Sequence, residues 1–186
     1  MIEAITDFDF AVLDFIREHL TCSFMDAFMS FITVFGNGGA VWIVMALALT
    51  VTKKHRRAGI MMIAALLVCL LTGNLLLKNL IARPRPFIQD PGVQLIIPPP
   101  SGYSFPSGHT FSSIISATVL SKYSRRAAPW VIIFAVLIAF SRLYLYVHFP
   151  TDVLCGALLG VALGLAVYHI TEKWLPNKEK LSETTE

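Results

Sequence analysis

The stretch Ser141–Asp152, SRLYLYVHFPTD, decides how the rest of the chain is read. It joins an apolar run at 127–143 to another that begins near Pro150 and ends near 170. Arg142, His148 and Asp152 therefore sit at the shared edge of two greasy segments. Charged and titratable side chains are costly near hydrocarbon. Three of them together, beside a proline suited to the first turn of a helix, mark a site.

The composition says where that site lies. The chain has 186 residues, 55% apolar and 15% charged, with a mean hydropathy of +0.67. Soluble domains carry about a quarter charged residues. The expectation is an all-α integral membrane protein forming one domain, 1–186. The net charge of +3 is small and no long basic tract occurs, which excludes nucleic acid as a partner. Cys22, Cys69 and Cys155 lie in apolar runs without metal-type spacing and read as packed thiols. Met1 to Asp9 carries acids rather than a basic leader region, so the chain is expected to stay in the bilayer through its own spans.

Working outward, residues 7–20 read as an amphipathic helix on the membrane surface, with the start of a long, tilted first span as the alternative. Apolar runs at 23–36 and 40–52 flank Gly36-Asn37-Gly38-Gly39, a turn signal. They are expected to form a hairpin, although each is short for a bilayer that needs about 20 helical residues. A basic cluster at 53–57 precedes a span at 58–80. Residues 82–106 are rich in proline and glycine and form a long extracytoplasmic loop, of the kind that often carries function. A span at 107–121 ends at Lys122, Arg125 and Arg126, and residues 171–186 form a polar cytoplasmic tail. Counting basic residues by loop gives six spans with both termini in the cytoplasm. Lys78, Arg83, Arg85 and Arg142 are left on the outer side, where phosphate binding is a natural reason for them.

Three stretches then meet on one face: KNLIARPRP (78–86), PSGH (106–109) and SRLYLYVHFPTD. Arginine offers phosphate a planar fork of donors, and lysine a point charge. Lys78, Arg85 and Arg142 fit that role. Ser107 and Gly108 open an apolar helical segment, so their backbone N–H groups are expected to be free for an anion. His148 and Asp152 are four residues apart, close enough for the carboxylate to orient the ring. His109 supplies a second imidazole. Residue type alone does not say which histidine attacks. From His109 to Lys122 is 13 residues, roughly 20 Å of helix, which sets His109 below the outer boundary of a core about 30 Å thick.

These three motifs resemble the three-part signature of the type 2 phosphatidic acid phosphatase (PAP2) superfamily, and no signature position departs from it. The chain is similar to its small bacterial members, undecaprenyl-diphosphate phosphatases and phosphatidylglycerophosphatase B. The resemblance implies a six-transmembrane-helix bundle and a lipid phosphatase of the bacterial cell (inner) membrane, with its site facing out. It implies His148 as nucleophile forming a phosphohistidine, Asp152 as its orienter and His109 as the acid for the leaving oxygen. Lys78, Arg85, Ser107, Gly108 and Arg142 would bind the phosphate. It implies no metal and no cofactor. The expected partner is a lipid phosphate or diphosphate: undecaprenyl diphosphate, the carrier lipid of cell-wall synthesis, with phosphatidylglycerophosphate or phosphatidic acid as the alternative. A lipid-binding or transport protein on the same bundle is the reading from another class, and intact His109, Arg142, His148 and Asp152 argue against it.

Some residues near the signature carry two readings. Arg83 is a substrate contact or a surface charge. Tyr144 touches the lipid chain or, with Tyr146 and Phe149, belongs to an interfacial aromatic belt. Asn74 reads as a helix–helix hydrogen bond. Gly156, Gly160 and Gly164 recur every four residues and read as packing inside the bundle, while a homodimer stays open. His55 and His169 read as structural.

Overall fold

Without water to satisfy them, backbone groups in a bilayer must pair within the chain, and helices do this locally. The computed structural model describes residues 2–174, which hold nine α-helices and no strand. They are α1 (Ile2–Leu20), α2 (Ser23–Gly36), α3 (Ala40–Val51), α4 (Arg56–Cys69), α5 (Lys78–Ile81), α6 (Pro86–Gln89), α7 (Gly108–Tyr123), α8 (Ala128–Tyr144) and α9 (Pro150–Trp174). A wide π-helical stretch, Leu70–Leu77, joins α4 to α5. The tail expected from 171 onward lies outside the described residues after Trp174. Among the described residues, three stretches are long and apolar enough to cross a membrane: Ser23–Val51, Arg56–Gln89 and Pro150–Trp174.

The runs 23–36 and 40–52 do not form the expected hairpin. They continue end to end as a 29-residue stretch, broken only by the 3-10 turn Asn37–Gly39. Gly38 and Gly39 have φ of 58° and 71°, values that glycine adopts at little cost, so the turn kinks the rod without reversing it. The join lengthens two runs that were each too short. Besides α1, it leaves five apolar stretches in the described bundle, so a sixth crossing would have to come from α1.

The bundle is built around α7. Phe111, Ile115 and Val119 of α7 are fully buried. Gly156, Gly160 and Gly164 turn α9 against it, since a Cβ at Gly160 would lie 2.9 Å from Ile114. The glycine stripe is thus used inside the bundle. Trp42 of α3 is fully buried and its Nε1 donates to Ser113 Oγ of α7 at 2.9 Å. At the basic end, Arg57 of α4 pairs with Glu172 of α9 at 3.2 Å.

Helix α1 is amphipathic as expected, and it begins at Ile2. Leu13 is fully buried while Phe8 and Phe15 are 61% and 57% exposed. Its inner face lies across the end of the bundle that carries residues 145–151. Phe10 meets Phe149 edge-on at 5.2 Å, and Tyr146 Oη donates to Asp14 at 2.9 Å. Tyr146 and Phe149 are covered by α1 instead of forming an interfacial belt.

Candidate active site

One cavity of about 630 Å³ gathers Lys78, Arg85, Gly108, His109, Arg142 and His148 at one end. It continues between α3 and α4 past Ile43, Leu47, Leu67 and Leu70. Its polar end is made by three pieces of chain that the sequence keeps far apart.

The first is the turn between α8 and α9. His148 is 2% exposed and Asp152 fully buried. His148 Nδ1 lies 3.6 Å from Asp152 Oδ2. Ser104 Oγ donates to that same oxygen and sits 3.5 Å from Nδ1, and the Phe149 N–H donates to it at 2.9 Å. The ring's other nitrogen, Nε2, is 3.2 Å from Arg85 Nη1. A guanidinium only donates, so Nε2 presents its lone pair and Nδ1 carries the hydrogen. Burial holds the imidazole well below the usual histidine range; Arg142 and Arg85 push the same way and Asp152 opposes them. A neutral ring can attack phosphorus through Nε2 once a phosphoryl group draws the Arg85 donor to its own oxygens.

The second piece is the loop 82–106. Arg85 is aimed by backbone carbonyls: Nε donates to Gly102 O at 2.9 Å, Nη2 to Ser101 O at 3.0 Å and Nη1 to Val147 O at 2.9 Å. Lys78 follows the π-helical stretch, an arrangement frequent at functional sites. Arg142 Nη1 donates to Thr33 Oγ1, and its buried Nε has no hydrogen-bond partner among the described residues. Three cations lining one cavity favour an anion there.

The third is the start of α7. His109 Nε2 lies 3.0 Å from Asn37 Oδ1. Gly36 makes room for the ring, since a Cβ there would come within 2.3 Å of His109 Cδ2. Gly108 lines the cavity beside Asn74 and Lys78. Ser107 does not, and its N–H is not free: it donates to the Asp152 carbonyl at 3.2 Å. The Ser107 hydroxyl caps α7, accepting from the Thr110 N–H at 3.5 Å, and also accepts from Thr110 Oγ1 at 3.0 Å.

Two further expectations need correction. Arg83 is turned away from the cavity into ion pairs with Asp9 at 2.7 Å and Asp152 at 2.8 Å, because two buried carboxylates hold its fork. Tyr144 is 3% exposed and donates to Asp26 at 2.6 Å; it borders a separate small cavity with Arg17 and Gln94. Asn74, expected to bridge helices, lines the main cavity. Asp9, Thr33, Asn37 and Ser104 were missed altogether. Asp9 left a signal: it shares the apolar face of α1 with Leu13 and Ile16, at helical spacing.

Comparisons with known proteins show the family and the fold. The PAP2 superfamily matches residues 54–176. An undecaprenyl-diphosphatase from Sulfolobus acidocaldarius is 34% identical over 138 residues, covering 73% of this chain and 66% of the relative. Undecaprenyl-diphosphatase BcrC from Bacillus subtilis is 30% identical over 159 residues, covering 83% and 79%. The solved structure of a transmembrane PAP2-type phosphatidylglycerolphosphate phosphatase from Bacillus subtilis superposes with a TM-score of 0.75 at 28% identity, covering 91% of this chain and 87% of that one.

Proposed function

The chain belongs to the PAP2 superfamily, and from that premise we propose that it hydrolyses undecaprenyl diphosphate to undecaprenyl phosphate. Membership makes it a membrane lipid phosphatase; the choice of lipid and the roles of the residues are the proposal. His148 Nε2 attacks the terminal phosphorus and the bond to the bridging oxygen breaks. His109 gives that oxygen its proton, and the product leaves a phosphohistidine behind. His109 then takes a proton from water as the water attacks, and inorganic phosphate and neutral His148 are released. Lys78, Arg85 and Arg142 carry the charge of the transferring phosphoryl group, a role that preorganised donors fill in phosphoryl transfer.

The observation that carries this reading is the shape of the cavity. Its cationic end is continuous with an apolar groove between α3 and α4, which suits a phosphate attached to a long hydrocarbon. The undecaprenyl-diphosphatase names of two relatives support the polyprenyl choice. The likeness to a phosphatidylglycerolphosphate phosphatase supports the second reading. Phosphate release in detergent, with undecaprenyl diphosphate, phosphatidylglycerophosphate and phosphatidic acid side by side, decides between them. The expected activity survives EDTA, is blocked by vanadate and is highest on the diphosphate. A need for added metal would sink the mechanism, and preference for either glycerolipid would sink the substrate.

The same reading puts the site on the outer side of the cell membrane, with the basic end of the bundle inside. The contacts of Phe10, Leu13 and Asp14 with the turn 145–151 support an N-terminus on the site's side. From Ile2 to Asp9 is only about 10 Å of helix, too short to cross a core of about 30 Å. An Ile5→Cys variant in a Cys22→Ser background should react with a membrane-impermeant maleimide on intact cells. Protection of that cysteine until lysis would favour the six-span arrangement.

A further inference from the structure

The ion pairs of Arg83 have no part in the phosphate chemistry above, and neither has α1. We propose that Asp9 of α1 is a positioning residue for phosphoryl transfer: it holds Arg83 and balances its charge, leaving the negative charge of Asp152 to the His148 ring. The proposal rests on His148 being the nucleophile.

Asp9 is fully buried. Its Oδ2 accepts from Arg83 Nη2 at 2.7 Å and from Thr151 Oγ1 at 2.5 Å, and its Oδ1 from the Thr151 N–H at 3.0 Å. The other arm of the same guanidinium, Nη1, donates to Asp152 Oδ1 at 2.8 Å. The Arg83 fork therefore bridges two buried carboxylates, with its carbon 3.9 Å over the Phe149 ring. Three charges summing to −1 stand behind His148. Without Asp9 the remaining pair would sum to zero, and the imidazolium character that develops as Nε2 bonds to phosphorus would lose its counter-charge.

A docking role for Asp9 alone would also bury it, so geometry must be separated from charge. Other charged and titratable groups also face His148 and Asp152: Lys78 on α5, Arg85 in the loop, His109 on α7, Arg142 on α8 and Cys155 on α9. None of them is altered by the following variants. Asp9→Asn keeps an acceptor for Thr151 and removes the charge. Arg83→Gln keeps a donor for Asp152 and removes the opposite charge.

The two variants should move His148 in opposite directions. The nucleophile must be neutral, so the acid limb of kcat/KM follows loss of the imidazolium proton. Asp9→Asn leaves Arg83 unbalanced, disfavours the imidazolium and shifts that limb to lower pH by about one unit. Arg83→Gln shifts it to higher pH by a similar amount, and the double variant returns it close to wild type. Histidine ¹⁵N NMR in detergent micelles, with the His148 signal assigned by its loss in His148→Ala, reads the same titration without turnover. It therefore tests this proposal even if undecaprenyl diphosphate is not the substrate. Shifts of the same sign in the two single variants, or none in folded protein, would overturn the proposal. If either single variant does not fold, the other and the double variant carry the same test.

Discussion

The two histidines of this site stand in opposite kinds of surroundings. His148 is enclosed by a saturated polar network: Asp152, Ser104 and Arg85 reach its two nitrogens, and Arg83 and Asp9 stand behind them. His109 leans on neutral groups, the Asn37 amide and the Thr33 backbone, at a break in a membrane rod. The difference matches what each must do. A nucleophile needs one tautomer and one direction, and a network of charges holds both. A residue that gives a proton in one half-reaction and takes one in the next is better served by a neutral partner, which stays in place whichever state the ring is in.

The largest expected effect breaks the comparison on the His148 side. His148→Ala should remove phosphate release to below about 10⁻⁴ of wild type with any lipid, since the proposed covalent intermediate forms on its Nε2. The residual rate in detergent, measured against a substrate-only blank, checks it. A variant keeping a tenth of the activity would mean that His148 is not the nucleophile.

His109→Ala should cost less, roughly 10²- to 10⁴-fold on the lipid substrate, and the loss should depend on the leaving group. An aryl phosphate, whose leaving oxygen needs no proton, should recover most of the rate. The His148 defect should be the same with either substrate. Equal losses for His109→Ala on lipid and aryl phosphates would remove the acid role and with it the contrast drawn above.

The sequence made the His148 side legible in part. Arg85, Arg142, His148 and Asp152 announce themselves as charges beside apolar runs, and all line or adjoin the cavity. The helices were legible too, because apolar runs between basic clusters are unambiguous. What stayed hidden was whatever depends on how helices meet. Gly36-Asn37-Gly38-Gly39 has the composition of a turn, and nothing local says that the rod resumes beyond it. Only the packing of α3 against α4 and α7 decides that. Ser107 looked like a free backbone donor because the partner of its N–H, the Asp152 carbonyl, lies 45 residues away in sequence. Arg83 looked like a phosphate ligand because its two carboxylates come from α1 and α9. Local chemistry names the groups, and tertiary contacts decide which of them is already occupied.

Asn37 tests the His109 side more gently. Asn37→Ala removes one neutral hydrogen bond and should lower kcat about fivefold with KM nearly unchanged, in line with roughly 1 kcal/mol for such a bond. Steady-state rates on the lipid substrate read it. A larger effect on KM than on kcat would make Asn37 a substrate contact instead of a support for the ring.

The smallest effect concerns the part of the cavity that touches neither histidine. Leu47 lines the groove between α3 and α4 and is 54% exposed, so a larger side chain there has space to turn without disturbing the core. Leu47→Trp should narrow the groove and displace about one methylene's worth of hydrocarbon contact, near 0.8 kcal/mol. KM for the polyprenyl substrate should then rise about fourfold, while the rate on a short aryl phosphate stays at the wild-type value. The second measurement gives the first its meaning. A groove that only holds the tail adds binding energy far from the reacting bond, so it must be invisible to a substrate without a tail. If the aryl phosphate slows as well, the groove and the cationic end are one mechanical unit, and the separation of tail binding from phosphate chemistry fails.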